Sequence, residues 1–412
     1  MGWLLSRMIR FFRFGFLVLC LAAGVAAKTA AQDMPGMDMG TMETGSRAWR
    51  WNAHGNVFFG LNDQERKFTD FRTIESQNWA MGTGTHAAGA GQLTLSSMLS
   101  LEPVTLKNIG SPQVFQTGET FERAPLVDYQ HPHDLVTALG ASYVRPAGPW
   151  RLSLAGGVAG AAALGPEPFM HRASASENPE APLSHHQLDS THITPGVVSV
   201  GLSRGEARIE TSWFRGREPD EDRTDIDLGA LDSWSMRGTW SRGPWSAQVS
   251  GGHLHNPEIT SPGRDITRLT ASVARTRTAG SLSTALFAAW GENREVHGPM
   301  DAYLFEAQIS WMDRNHLYSR AELVTKDILN AGSDSVGFID FHPLSRVGAL
   351  TIGYTRDFNG SNRSRFGLGG DVTIYDVPAN LKENYGQPVS MHIFLRYRFT
   401  TPAAGDGTAH DH

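Results

Sequence analysis

The sequence has 412 residues, of which 40% are hydrophobic and 19% charged, with 44 glycines, 11 tryptophans and a formal net charge of −6. An aromatic content of 9% excludes a disordered chain. A polytopic helical membrane protein is also excluded, because only one apolar run approaches the length of about 20 residues that a helix needs to span a bilayer. A net negative charge without a basic block argues against a nucleic-acid partner.

The first 31 residues have the pattern of a secretory signal peptide. A basic stretch at 7–13 precedes an apolar run from Phe14 to Ala27, and small residues follow it at the cleavage site. A single membrane anchor is the alternative. The only cysteine, Cys20, lies in this apolar run, so the mature chain is predicted to enter an oxidising compartment without a disulfide.

From Trp49 onward, apolar residues recur at every second position, which predicts strands with one apolar and one polar face. Ile209 and Trp213, for example, share a face, whereas Arg208 and Glu210 share the opposite one. Sixteen strands are predicted, near 48–60, 77–88, 91–104, 134–145, 149–163, 192–203, 206–216, 231–241, 245–255, 266–276, 281–292, 300–312, 316–326, 346–357, 364–375 and 388–399.

The connections between these strands alternate in length. Seven tight turns separate eight longer loops, at 61–76, 105–133, 164–191, 217–230, 256–265, 293–299, 327–345 and 376–387. Outer-membrane barrels have this asymmetry, with short periplasmic turns, long external loops and an even number of strands. They are closed because hydrocarbon offers no hydrogen-bond partner to an open sheet edge.

We therefore predict an all-β fold, a transmembrane antiparallel β-barrel of about 16 strands (roughly 14–18) in the bacterial outer membrane. Its partners are expected to be outer-membrane lipid and the barrel-assembly machinery; the sequence leaves its oligomeric state open. A soluble β-sandwich or propeller is the alternative. The count is least certain at 327–345, where residues 336–341 could form a further strand.

The chain divides into four predicted parts: a signal peptide (1–31), a Met-rich periplasmic leader (32–47), the barrel (48–399) and a flexible, His-containing tail (400–412). The tail ends in His410-Asp411-His412, which could bind a metal weakly or be inert.

Charged side chains on the polar faces are predicted to point into the barrel lumen. They are Glu206, Arg208, Glu210, Arg237, Arg268, Glu306, Arg320, Glu322, His392, Arg396 and Arg398. Both signs are present, which favours ion pairs over a one-sign ion filter. The loops 105–133 and 164–191 are long enough to fold inward.

The leader holds four methionines within nine residues, Met34, Met37, Met39 and Met42, in a polar, Gly-rich stretch. Thioether sulfur is a soft ligand that selects Cu(I). Several sulfurs on one mobile segment can surround a single ion, so this segment is a candidate copper site. The alternative is a spacer whose methionine content has no role.

Eight histidines fall in or beside three of the long loops. They are His131, His133, His171, His185, His186, His192, His253 and His255. Imidazole binds copper and zinc, so these are candidate metal ligands at the external mouth. No strict tetrahedral ligand spacing is present, and polar loop residues or lumen hydrogen-bond partners are the alternative.

No catalytic constellation stands out, and the protein is predicted not to be an enzyme. The pairs Ser184-His185 and Asp189-Ser190, with His192, bring the residue types of a hydrolytic triad together in sequence, but such triads are defined in space. A barrel hydrolase is a minor alternative.

Several segments carry a resemblance to a known group of proteins. They are 169–182 with its continuation to His192, His131-Pro132-His133-Asp134, Gly216-Arg217-Glu218-Pro219-Asp220 and Tyr375-Asp376-Val377-Pro378. Together they resemble an uncharacterised family of bacterial outer-membrane proteins with Met-rich N-termini. In layout alone, the chain is also similar to the copper-resistance outer-membrane protein B family.

The function predicted from these features is binding, sequestration or passage of copper, linked to metal tolerance. No tightly bound cofactor is expected; Cu(I) or Cu(II) would be a transient ligand, exchanged with periplasmic copper proteins. The alternative is a general or selective porin-like channel without a metal role.

Overall fold

The computed structural model describes residues 48–401, except 68, 108, 260–262, 296–297, 331–343 and 362. The strands of this part are β1 (Arg50–Arg66), β2 (Thr69–Glu75), β3 (Asn78–Ala88), β4 (Gly91–Leu99), β5 (Ser111–Phe121), β6 (Ala124–Gln130), β7 (Val136–Ala147), β8 (Trp150–Ala159), β9 (Val197–Arg204), β10 (Ala207–Phe214), β11 (Ser233–Arg242), β12 (Trp245–Leu254), β13 (Ile266–Ala279), β14 (Leu282–Glu295), β15 (Gly298–Trp311), β16 (Asn315–Lys326), β17 (Ser345–Ser361), β18 (Ser364–Asp376) and β19 (Val389–Thr400). Short α-helices lie at α1 (Glu102–Thr105), α2 (His185–Leu188) and α3 (Lys382–Tyr385), and 3₁₀ turns at Phe169–His171, Ser190–His192 and Ile328–Asn330. None of the described helices is long and apolar enough to cross a membrane.

Seventeen of the strands form one antiparallel sheet that closes on itself, because β1 pairs with β19 along its length. β2 pairs with the second half of β1 and β3 with the first half, so these two strands occupy one position in the wall. The wall therefore has sixteen positions. The predicted sixteen-strand antiparallel barrel is confirmed.

The outer face of the wall is apolar around the whole barrel. Large apolar side chains exposed on it include Trp51, Phe59, Leu95, Leu139, Leu154, Ile209, Trp234, Val249, Ile352, Leu368 and Ile393. A closed sheet leaves no unpaired backbone at an edge, so an apolar surface of this kind is compatible with hydrocarbon. The pattern of period two in the sequence follows from this division between the two faces.

The short connections lie at one end of the barrel, together with the start of β1 and the end of β19, as His54 pairs with Thr400. Two of the predicted loops contain strands. Residues predicted as the loop 61–76 extend β1 and form β2, which pairs with β1 as a hairpin. The loop 105–133 contains a second hairpin, β5–β6. The further strand considered at 336–341 lies outside the described residues.

Two segments occupy the lumen. The first, here called the inserted loop, comprises residues 160–196 between β8 and β9; the second, the lumen hairpin, is β5–β6 at 111–130. The inward folding predicted for both connections is confirmed by their burial, since nearly all of 172–192 and most of 111–120 are buried. The wall and these segments together form the core of the molecule.

Candidate histidine centre

Buried ion pairs hold the inserted loop against the wall. Arg172 donates two hydrogen bonds to Glu306 on β15, at 3.0 and 3.1 Å, in a bidentate arrangement. Arg320 on β16 donates to the same carboxylate at 3.1 Å, and Ser174 at 2.9 Å. Glu306 thus accepts from three donors, each of which is nearly inaccessible to solvent. Charge-assisted bonds of this geometry fix the loop in one position.

Further anchors lie along the loop. Glu177 is paired with Arg396 and Arg398 of β19. Although burial alone would raise the pKa of Glu177, these two guanidinium groups lower it to about 2. Nearer to α2, the carboxylate of Glu322 on β16 accepts the backbone N–H groups of Leu183 and Ser184 at 3.1 and 3.0 Å. The predicted ion pairs of the lumen are confirmed, with the loop supplying many of the partners.

The lumen hairpin is held by apolar contact as well as by hydrogen bonds. Val114 and Phe115 are fully buried in a cluster with residues of β15–β17 and α3. Phe115 has a φ of 68°, a left-handed conformation that is rare for a bulky residue, and its N–H donates to Asp128 at 2.8 Å. The surrounding contacts therefore determine this backbone conformation.

Five of the predicted histidines meet inside the barrel. This histidine cluster consists of His131, His133, His185, His186 and His192. The ring centroids of His185 and His192 are 5.2 Å apart, and those of His133 and His192 5.5 Å. His186 lies 5.5 Å from His185 and 5.9 Å from His131. The first two members follow β6 and the other three belong to the inserted loop, so the cluster forms where these segments meet.

Three rings of the cluster share one hydrogen-bonding pattern. His192 Nδ1 lies 2.8 Å from the carbonyl oxygen of Asp189, an acceptor that fixes the proton on Nδ1. His185 Nδ1 donates to the Asp189 carboxylate at 2.7 Å, and His133 Nδ1 to Glu102 at 2.8 Å. The Nε2 atom is left for another partner. Metal-ligating histidines are oriented in this way, with the second nitrogen held by an oxygen.

Burial and neighbouring charges shift the pKa values of these rings. Burial lowers the pKa of His192 well below the ordinary value, and the neighbouring His185 and His133 lower it further. Burial also lowers the pKa of His185, against the effect of Asp189. For His133 burial acts in the same direction, but the Glu102 carboxylate outweighs it and raises the pKa. His192 Nε2 is buried without a hydrogen-bond partner.

The two remaining rings have carboxylates beside them. His131 Nε2 lies 3.2 Å from Glu119, and His186 Nδ1 lies 3.3 Å from Glu218 but is not aligned for a hydrogen bond. The other side of His186 faces Gly118, where a Cβ atom would lie only 2.2 Å from Nε2. Glycine is required there, since φ is +132° and the imidazole leaves no space for a side chain.

The ring spacing suits imidazoles that converge on one ion. With metal–nitrogen bonds of about 2.0–2.1 Å and tetrahedral angles, ring centroids are about 5 Å apart. In the described part of the chain, however, no three histidine nitrogens all lie within 4.8 Å of one another, so a bound ion would require side-chain rotation. Asp220, Asp225 and Asp227 satisfy that distance, but they are largely exposed acids on a loop.

The other predicted ligands lie elsewhere. His171 packs against Trp79, with ring centroids 4.8 Å apart, and does not join the cluster. His253 and His255 flank Asp265 at the rim of the barrel, at 3.4 and 2.8 Å, and are partly exposed. Met34, Met37, Met39, Met42 and the tail histidines lie outside the described residues.

The serine hydroxyls of the triad alternative are engaged with other groups. Ser184 Oγ donates to Glu322 at 2.8 Å, and Ser190 Oγ accepts from Arg268 at 2.9 Å. Asp189, which that alternative included, orients His185 and His192 as described above.

Sequence reasoning missed the carboxylates that position the rings, above all Glu102 and Glu218. Glu102 lies within the predicted strand 91–104, beyond the observed end of β4 at Leu99, and Glu218 belongs to the segment Gly216–Asp220 that carried the family resemblance. Neither residue is close to the clustered histidines in the sequence, so only the folded structure brings them together.

Solved structures of bacterial outer-membrane proteins share this fold. Salmonella typhi OmpF, in a complex with daunomycin, matches with a TM-score of 0.52 over 85% of this chain and 97% of that chain, at 9% identity. Pseudomonas putida OprB, in a high-pH structure, matches with a TM-score of 0.51 over 86% and 94%, at 10% identity. This chain has the closed β-barrel fold of these bacterial outer-membrane proteins.

At such low identity the likeness concerns the fold. No protein-family model matches the sequence, and no curated protein does. The two family resemblances, which rest on sequence segments and on layout, therefore stay predictions. The features that bear on function lie in the interior of the barrel.

Proposed function

We propose that this barrel binds copper inside its lumen and thereby sequesters the ion, a role in metal tolerance. The observation that carries the proposal is the arrangement of His133, His185 and His192. Each has its Nδ1 atom held by an oxygen of Glu102 or Asp189, and neighbouring rings are 5.2–5.5 Å apart. Imidazole nitrogen is a good ligand for Cu(II), and for Cu(I) when few ligands are present.

The filled lumen favours sequestration over free passage. In the described residues, the inserted loop crosses the interior and is bonded to β15, β16 and β19, opposite its own origin between β8 and β9. An ion bound at the cluster is enclosed by protein. The leader methionines, Met34, Met37, Met39 and Met42, would add a Cu(I) ligand set in the periplasm.

Copper binding can be tested on the refolded mature chain in detergent. The tail histidines His410 and His412 are first replaced by asparagine, because they are predicted to bind metal weakly. Cu(II) bound after gel filtration is counted by mass spectrometry, and its ligands are identified by the nitrogen hyperfine pattern in electron paramagnetic resonance. We expect about one Cu(II) with imidazole nitrogen ligands.

Two variants locate the site. The variant H133N/H185N/H192N should lose this signal, whereas H253N/H255N, which changes the rim pair only, should keep it. Equal Cu(II) binding by the cluster variant and the parent would contradict the proposal. Loss in the rim variant alone would place the site at Asp265 and would contradict it as well.

The second candidate function is the predicted porin-like channel. A wall of sixteen strands favours it, since barrels of 16–18 strands leave an aqueous channel when nothing fills them. Planar-bilayer recordings separate the two functions. We expect a small or absent steady current from the filled barrel, and a large, non-selective current would support the channel.

A further inference from the structure

A row of soft ligands crosses three neighbouring wall strands. In the register of the sheet, His54 on β1 is paired with Met81 on β3, and Met81 is paired with Met98 on β4. Directly paired residues of antiparallel strands lie on the same face, with Cβ atoms about 4.5–5.5 Å apart. The three side chains therefore lie side by side.

This row faces the lumen. Met98 is 5% exposed, whereas the next residue on β4, Leu99, is 47% exposed on the lipid side. On β1, likewise, Trp51 and Phe59 point outward, which places the even-numbered His54 inward.

The inserted loop brings a second imidazole to the row. His171 lies 6.5 Å from His54, measured between ring centroids, and both rings contact the lumen-facing Trp79, at 4.8 and 5.4 Å. His54 Nε2 is buried and has no hydrogen-bond partner.

The chemistry of this group differs from that of the histidine cluster. Two thioethers and two imidazoles form a soft donor set, which selects Cu(I) and Ag(I) over harder ions. No carboxylate is part of the set, and the face of an indole ring attracts a cation further.

We propose that this group is a second metal site, for a monovalent soft ion. Its ligands are His54, Met81, Met98 and His171, beside the ring of Trp79. The proposal rests on the proposed copper function, and it assigns Cu(I) to this row and Cu(II) to the histidine cluster. His54, four residues after the start of β1 at Arg50, is also the ligand closest in sequence to the Met-rich leader.

Ag(I) is the probe for the test, since it needs no reductant. The full mature chain is used, with the four leader methionines replaced by leucine so that they do not compete. Silver bound after desalting is counted by mass spectrometry. Met81→Leu together with Met98→Leu removes both thioethers at nearly constant volume, so the barrel should fold. We expect this variant to bind about one Ag(I) fewer than the parent, or to bind it on the order of tenfold more weakly or worse.

Matched controls make the outcome specific. Met236→Leu with Met391→Leu changes two lipid-facing methionines and should leave Ag(I) binding unchanged. His54→Gln provides a second test that keeps both thioethers, and it should also weaken binding. The proposal is overturned if M81L/M98L keeps the parent's silver content or if the lipid-facing control loses as much.

The Cu(II) signal of the same variants separates this proposal from the proposed function. M81L/M98L should lose Ag(I) and keep Cu(II) at the histidine cluster. Retained Ag(I) with retained Cu(II) would refute the second site alone, whereas absence of Cu(II) from the parent would refute the proposed function.

Discussion

Leu395 and Arg396 are consecutive residues of β19, but they meet different surroundings. Leu395 is 50% exposed on the outer face, whereas Arg396 is completely buried between Glu177 of the inserted loop and Asp357 of β17. The outer face needs only apolar character, because the hydrophobic effect is non-directional. The inner face needs defined partners, because a buried charge is costly unless it is paired.

The largest expected effect comes from the anchor with the most partners. Glu306→Ala leaves Arg172 and Arg320 buried without their shared carboxylate, which should cost about 3–5 kcal/mol. We expect the inserted loop to leave its place and the steady current through the barrel to rise. Urea unfolding followed by tryptophan fluorescence, together with planar-bilayer recording, measures both effects. An unchanged current and an unchanged midpoint would show that the loop is held by other contacts.

On the outer face of β19, introducing a charged side chain should lower the stability of the barrel. Leu395→Arg places a guanidinium against hydrocarbon near the middle of β19 and should cost about 2–4 kcal/mol in the free energy of unfolding from vesicles. The loop contacts lie on the opposite face, so conductance should stay low. Leu395→Ile is the apolar control. A current increase in the Arg variant would mean that the two faces are not independent.

A smaller effect is expected where a carboxylate only positions a ligand. Glu102→Gln removes the charge that orients His133 while keeping the shape of the side chain. We expect Cu(II) affinity to fall roughly 10–100-fold, with one ion still bound per barrel. Isothermal titration of the variant and the parent measures this change. An unaltered affinity would indicate that His133 is not a ligand.

The smallest effect is expected at an exposed ion pair. Glu206 pairs with Arg242 at 3.3 Å next to a short turn, where both side chains are largely exposed. Glu206→Gln should change the free energy of unfolding by less than about 1 kcal/mol, because water and salt screen such pairs. It is a matched control for Glu306→Ala, measured in the same urea series. A loss as large as that of Glu306→Ala would remove the distinction between exposed and buried charges.

The barrel wall was predictable from the sequence because apolar and polar residues alternate along each strand, which shows which residues share a face. The same alternation placed Glu306 and Arg396 in the lumen. The alternation did not identify the partners of these two residues. It determines which face a residue lies on, but not which residue it contacts across the lumen. The lumen hairpin was missed because most of β5 is buried on both faces, and six residues of the hairpin with positive φ interrupt regular pairing.

The metal sites show the same limit. All five members of the histidine cluster were candidates, but nothing in the sequence separated them from His253 and His255, because the difference arises from how the inserted loop folds. The pairing of Met81 with Met98, in contrast, could have been read from the sequence. A two-residue turn at 89–90 determines the register of the strands on either side of it.

The position of the inserted loop also bears on how the protein folds. The loop leaves the wall after β8, yet Glu177 is paired with Arg396, which lies 219 residues later in the chain. Gln64 and Ser390 are joined across 326 residues at the seam between the first and last strands. Contacts of such sequence separation form late and slowly. The interior can therefore reach its final arrangement only after the last strand has been added, so closure of the seam and ordering of the loop should occur in one kinetic phase.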